Sequence, residues 1–174
     1  MKIVHTGDWH IGKIVNEYSM IEEQKYYLDK LVELLREKEA EALIISGDIY
    51  DRSVPPAEAV ELLDTILSKI ILELKIPVLA IGGNHDSAER LSFGNKLLRD
   101  KGLYIEGNFN GEVKKVTLKD NYGSVNFYLL PYIDPAQARI LYENPEIKTH
   151  DDMMREIVSR IYENLDIDER NILI

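Results

Sequence analysis

The sequence has 174 residues, 45% of them hydrophobic and 30% charged, with the two kinds interleaved throughout. That length can bury a sizeable apolar core without covalent staples, and the mixture excludes a disordered tail and a membrane span, which leaves one compact soluble domain over residues 1–174. The 21 Lys+Arg against 31 Asp+Glu give a net charge of −10, opposite in sign to a protein that binds nucleic acid by charge alone.

Met1-Lys2 runs into Ile3-Val4 and then polar His5-Thr6-Gly7-Asp8, too short an apolar stretch for a secretory signal, so a cytoplasmic location is the default. There is no cysteine, which removes disulfides and thiolate metal sites.

In chain order, residues 2–5 read as a short strand. Leu28, Leu31, Val32 and Leu35 then recur at helical spacing. A second strand falls at 42–46. Pro55-Pro56 suit the first turn of a helix whose apolar face is Val60, Leu63, Leu67, Ile70, Ile71 and Leu74. Residues 77–81 form a third strand, and a further helix is predicted over 88–99. Residues 112–118 and 124–130, split by Asp120-Asn121-Tyr122-Gly123, read as a hairpin. Residues 131–145 are loop-like, after which Thr149 and Asp152 open a helix carrying Met154, Ile157, Val158, Ile161 and Leu165. The closing Asn171-Ile172-Leu173-Ile174 looks like a buried strand just beginning, which predicts a truncated domain.

Strands alternating with helices predict an α/β fold with parallel crossovers, and ligands then belong beyond the carboxyl ends of the strands. After the first strand comes Gly7-Asp8-Trp9-His10. Residues two apart in an extended segment face the same way, so Asp8 and His10 can serve one metal while Trp9 packs; the alternative is a turn-capping Asp beside an exposed His. After the second comes Gly47-Asp48-Ile49-Tyr50-Asp51-Arg52, where Asp48 is either a carboxylate bridging two cations or an ordinary turn aspartate. After the third comes Gly82-Gly83-Asn84-His85-Asp86, in which Asn84 can offer its amide oxygen to a metal and His85 can donate a proton. Three polar clusters following three successive strands favour a metal site over three independent turns. Oxygen ligands mixed with imidazole suit Mn²⁺, Fe or Zn²⁺ without choosing among them, and bound cations would make a positive pocket within an acidic surface.

Asp8-x-His10, Gly47-Asp48-x-x-Asp51 and Gly83-Asn84-His85-Asp86 resemble the first three motifs of the calcineurin-like metallophosphoesterases. Within that superfamily, His5-Thr6-Gly7-Asp8-Trp9-His10-Ile11-Gly12, Gly47-Asp48-Ile49-Tyr50-Asp51 with Pro55-Pro56, and Gly83-Asn84-His85-Asp86-Ser87 are similar to the SbcD-type nuclease subunits. The resemblance spans the chain and is densest in residues 1–100. It implies the metallophosphoesterase fold, mixed β-sheets flanked by helices, cut short before the last metal-ligand motifs.

By the same resemblance, Asp8 and His10 bind a first metal, Asp48 bridges, Asn84 binds the second, and His85 assists the transition state without binding metal. Asp51 would orient a neighbouring ligand or else stabilise its own loop, with Arg52 and Asp86 as further ligand-orienting or phosphate-contacting candidates, Arg52 reading otherwise as a surface arginine; Lys13 could touch a DNA phosphate or only water. The implied cofactors are two divalent ions, Mn²⁺ as usual activator, and the implied reaction is hydrolysis of DNA phosphodiesters in repair, recombination and replication. The implied partners are DNA, an SbcC-type ATPase and a second copy of the chain. The family completes its site with later histidines, whereas the only other histidines here are His5, expected to pack or hydrogen-bond in the strand, and His150, expected to be solvated. The isolated chain is therefore expected to be nearly inactive. Two rival readings are a phosphatase or phosphodiesterase of the same superfamily, which the acidic charge favours, and a non-catalytic scaffold that dimerises or docks a partner.

Overall fold

A computed structural model describes residues 1–174. The elements in order are β1 (Ile3–Thr6), β2 (Ile14–Val15), β3 (Tyr18–Ser19), α1 (Ile21–Glu37), β4 (Ala42–Ser46), α2 (Ala57–Ser68), β5 (Val78–Ile81), α3 (Ala88–Leu91), α4 (Asn95–Leu98), β6 (Leu103–Glu106), β7 (Lys114–Asp120), β8 (Gly123–Leu129), α5 (Pro135–Leu141), α6 (His150–Glu163) and β9 (Arg170–Leu173). Helix α2 continues into a wider π-helical turn, Lys69–Glu73.

The first sheet is all parallel in the order β1-β4-β5-β6, and the second joins β7 and β8 antiparallel and β8 and β9 parallel. Because the first sheet adds its strands in chain order, right-handed crossovers place every connecting helix on the same face. Side-chain alternation then divides the strands between two cores. Leu43, Ile45, Val78 and Ala80 pack beneath α1 and α2, against Leu28, Leu31, Leu35, Leu62 and Ile66. Their neighbours Ala42, Ile44 and Leu79 face the second sheet and meet Val116, Val125, Phe127 and Leu129. A third cluster, around Ile133, Ile147, Met153 and Ile157, seats α5 and α6.

Several local expectations are corrected. The helix predicted over 88–99 is two four-residue pieces, because Gly94 takes a left-handed φ of 73° and the exposed Phe93 and Leu97 have no core to bury against. Pro56 is the N-cap of α2, just before its first turn, and Val60 lies on the exposed side. The segment 131–145 holds α5, started by Asp134 capping the Ala136 N–H ahead of Pro135. Strand β6 and the small β2–β3 hairpin lack the alternation that would announce them. The closing strand β9 is real but half-exposed along one edge of the second sheet. The capping box of α6 forms as expected between Thr149 and Asp152, although the buried face of that helix is Met153 and Ile157.

The two sheets are tied at one end by Asp120. Its almost fully covered carboxylate receives both terminal nitrogens of Arg170, at 2.9 and 2.7 Å, and the amino group of Met1 at 2.5 Å. The Arg170 guanidinium, followed by that amino group, holds Asp120 well below the usual carboxylate range. A pKa lowered by folding contributes stability that is complete above the unfolded value of about 3.9 and is lost as pH falls below it. Asp120→Asn should therefore lower the melting temperature at neutral pH, and the gap from the parent should shrink steadily from pH 4 downward in a series of thermal melts.

Candidate metal centre

Strands β1, β4 and β5 are in parallel register, Thr6 opposite Ile45 and Ser46 opposite Ile81, so the chain leaves all three at the same edge of the sheet. The first two loops continue as an irregular ribbon. Asp8 N–H donates to Gly47 O (3.2 Å), His10 N–H to Asp48 O (2.9 Å), Ile11 N–H to Ile49 O (2.9 Å), and Asp51 N–H returns to Ile11 O (3.1 Å).

Asp8 and His10 do not achieve their common direction by extended geometry. The strand ends at Thr6, and both residues have left-handed backbones, with φ of 52° and 44°; Asp48 follows at 46°, after Gly47 at 77°. Such conformations cost non-glycine residues about 1–3 kcal/mol each and persist where the surroundings enforce them. Here the cross-loop hydrogen bonds do so. The result brings donor atoms of Asp8, His10 and Asp48 within 4.8 Å of one another. Trp9 is buried beside them and donates its indole N–H to Thr6 Oγ1 at 3.0 Å.

His10 stands between two carboxylates, with Nε2 3.6 Å from Asp48 Oδ2 and Nδ1 3.5 Å from Asp51 Oδ1. Nδ1 is buried and has no hydrogen-bond partner. The Nε2 separation is too long for a good hydrogen bond but suits two donors that each lie about 2.1 Å from one cation. The donor set therefore fits a divalent metal: imidazole and carboxylate together, with an acidic excess that a cation neutralises.

The third loop closes on this pair. His85 N–H donates to Asp48 Oδ1 (3.1 Å), and Asp86 accepts from the N–H groups of Ile49 (3.0 Å), Tyr50 (2.9 Å) and Gly83 (2.9 Å). Asp86 thus spends its carboxylate tying the second loop to the third. Gly83 passes so close that a β-carbon there would collide with the carboxylate and amide of Asp48. Asn84 is exposed at the tip of the turn. The rings of His10 and His85 meet edge to face at 4.8 Å.

His85 Nδ1 lies 3.0 Å from the Asp51 carbonyl, which can only accept, so Nδ1 carries the proton and Nε2 is left toward solvent. That carbonyl, then the nearby Asp48, Asp51 and Asp86 carboxylates, hold the imidazole pKa above its ordinary value. Tyr50, pushed up to about 12 by burial and by Asp86 and Asp64, adds no titrating group near neutrality.

Motif reading did not anticipate a second cluster of His10, Asp51 and His85, also within 4.8 Å. The other expected residues lie outside these clusters. Arg52 is exposed, its Nε 3.8 Å from Asp51 Oδ2, and Lys13 is exposed beyond the first loop. His5 bonds to Ser46 Oγ at 2.8 Å, and His150 is an exposed residue in the first turn of α6. Gln24, on α1, escapes motif reading because nothing in the local sequence marks it, yet its side chain hydrogen-bonds to the loop that carries His10.

Residues 1–169 match the calcineurin-like phosphoesterases, and the chain belongs to that family. It is also 36% identical, over all 174 residues, to the SbcD component of the SbcCD nuclease of Staphylococcus saprophyticus subsp. saprophyticus. The chain spans 45% of that relative's length.

Gly83→Ala tests the convergence of the second and third loops. It should weaken divalent-cation binding in calorimetry and, as an overpacking change, lower unfolding stability by about 1–3 kcal/mol in urea titrations.

Proposed function

We propose that the chain is the N-terminal part of one nuclease domain that hydrolyses DNA phosphodiesters with two divalent cations. The observation that carries this reading is the convergence of Asp8, His10 and Asp48 at the carboxyl edge of the parallel sheet, within 4.8 Å. Family membership and the likeness to a nuclease component supply the reaction class.

In this reading Asp8 and His10 hold the first cation, Asp48 lies between the two, and Asn84 offers its amide oxygen to the second. Two cations, Mn²⁺ by family habit, would supply Lewis acidity and an activated water for in-line attack on phosphorus. His85 stays off the metals; with Nδ1 held by the Asp51 carbonyl, its ring is suited to donating a proton toward the departing oxygen. Asp51 faces Nδ1 of His10 with its carboxylate and Nδ1 of His85 with its carbonyl, which turns Nε2 of each ring toward the reaction. Exposed Arg52, beside Asp51, and Lys13, which follows the first loop, are the candidates to meet phosphate.

These ligands are fewer than a complete two-metal centre needs, and the family likeness supplies the rest as later histidines. The partners proposed are duplex DNA ends, an SbcC-type ATPase and a second copy of the chain, with the work done in the cytoplasm during repair, recombination and replication. The exposed faces of α1 and α2, which carry Tyr26, Tyr27 and Val60, are the candidates for the dimer contact. No helix is long and apolar enough to cross a membrane. The net charge of −10 favours a phosphatase acting on small substrates as a second reading.

The test is a protein extended to the relative's full length, assayed with Mn²⁺ on duplex DNA ends and on a phosphomonoester. DNA cleavage that Asp48→Asn lowers by at least about a hundredfold is expected, the scale on which loss of a charge-stabilising group acts. Activity confined to phosphomonoesters would overturn the nuclease reading, and a fully active Asp48→Asn protein would overturn the site.

A further inference from the structure

Gln24 lies one turn into α1, and its amide spans the first loop from the side opposite the second loop. Oε1 accepts the Gly12 N–H at 3.0 Å, while Nε2 donates to the carbonyls of Trp9 at 3.1 Å and His10 at 2.7 Å. The loop is therefore held along both edges: its N–H groups at Asp8, His10 and Ile11 bond to the second loop, and its carbonyls at 9 and 10 and the N–H at 12 bond to Gln24. A side-chain amide is suited to this task, because one planar group offers an acceptor and two donors as a neighbouring strand would.

The base of the clamp is rigid. Leu28, Leu31, Val32 and Leu35 fix α1 to the main core, and Gln24's own N–H is bonded to Met20 O at 2.9 Å. At the other end the clamp grips the carbonyls of the two peptide groups that flank the His10 α-carbon, where φ is left-handed and the ring direction depends on the backbone staying there. Trp9 is buried, so removing the donor would take away the bond that Gln24 gives its carbonyl, whereas the His10 carbonyl keeps the Lys13 N–H at 3.1 Å.

We infer that Gln24 is a positioning residue of the metal centre: it fixes the peptide of His10 so that the imidazole meets Asp8 and Asp48 in ligand geometry before any cation arrives. This deepens the metal-centre reading above and rests on it. Gln24 touches neither cation nor substrate, and acts through the loop alone.

The test compares the parent with Gln24→Met, which keeps the length and removes all three bonds, and Gln24→Glu, which keeps the acceptor and loses both donors. Mn²⁺ affinity is measured by titration calorimetry and protection of the Gly12 amide by hydrogen exchange. Loss of an outer contact to a ligand weakens metal binding by about 10–100-fold, and a loss of that size is expected for Gln24→Met. Gln24→Glu should also bind more weakly, while its Gly12 amide stays protected. The exposed neighbour Lys25→Met should leave both readouts at parental values. If Gln24→Met does not fold, Gln24→Glu decides: parental Mn²⁺ affinity in a folded variant of either kind overturns the inference. Asp48→Asn separates the two levels. If Asp48→Asn loses Mn²⁺ and the folded Gln24 variants do not, the positioning role alone fails. If Asp48→Asn binds as the parent does, the metal-centre reading falls and the inference with it.

Discussion

Parallel pairing of β1, β4 and β5 is the constraint from which the site follows. Strands that run the same way in register deliver their following loops to one edge, so residues as far apart as Asp8, Asp48 and His85 become neighbours without any loop having to travel. The helices that connect the strands of the first sheet lie on one of its faces and the second sheet on the other, and Leu43 and Ile45 are buried on the first face as Ala42 and Ile44 are on the second. A slip of one residue in β4 would exchange its two faces, an error that the burial of both sides makes costly.

Beyond the strand ends, the backbone adopts conformations that residues with side chains avoid. Asp8, His10 and Asp48 are all left-handed, and each is flanked by hydrogen bonds between loops: the ribbon from residue 8 to residue 11, the three N–H groups gathered by Asp86, and the amide of Gln24. Strain of this kind concentrates where side chains must point in a direction regular structure does not provide. The electrostatics have the same character. Carboxylates from Asp8, Asp48 and Asp51 stand around one imidazole, a concentration of like charge that a cation would neutralise. Cation binding would also reconcile an acidic protein with the anionic phosphodiester proposed as its substrate, because the local charge at the proposed site would then be set by the metals.

The main elements and the cluster at the sheet edge were legible in the sequence for identifiable reasons. The helical repeat at Leu28–Leu31–Val32–Leu35 and the apolar run 42–46 report one-sided and two-sided burial directly. Elements without such a signature were not legible. Strand β6 carries a tyrosine and a glutamate where the equally short β5 is wholly aliphatic, the region 88–101 is broken by a glycine and by exposed leucines, and α5 hides in a proline-containing stretch whose capping aspartate carries the signal. At the site, the three motifs that meet at the sheet edge could be read, but the reason Asp8 and His10 point together could not, since it lies in hydrogen bonds donated to Gly47 and Asp48 and received from Gln24, all distant in sequence. The placement of Asp51 between two imidazoles is a property of the folded loops for the same reason.

Anomalous scattering from crystals of this protein grown with Mn²⁺ addresses the central claim directly, because it locates the ion without reference to activity. The account predicts a peak in bonding contact with Asp8, the Nε2 of His10 and Asp48. A peak held only by His10, Asp51 and His85, or no peak near these loops at saturating Mn²⁺, would contradict it.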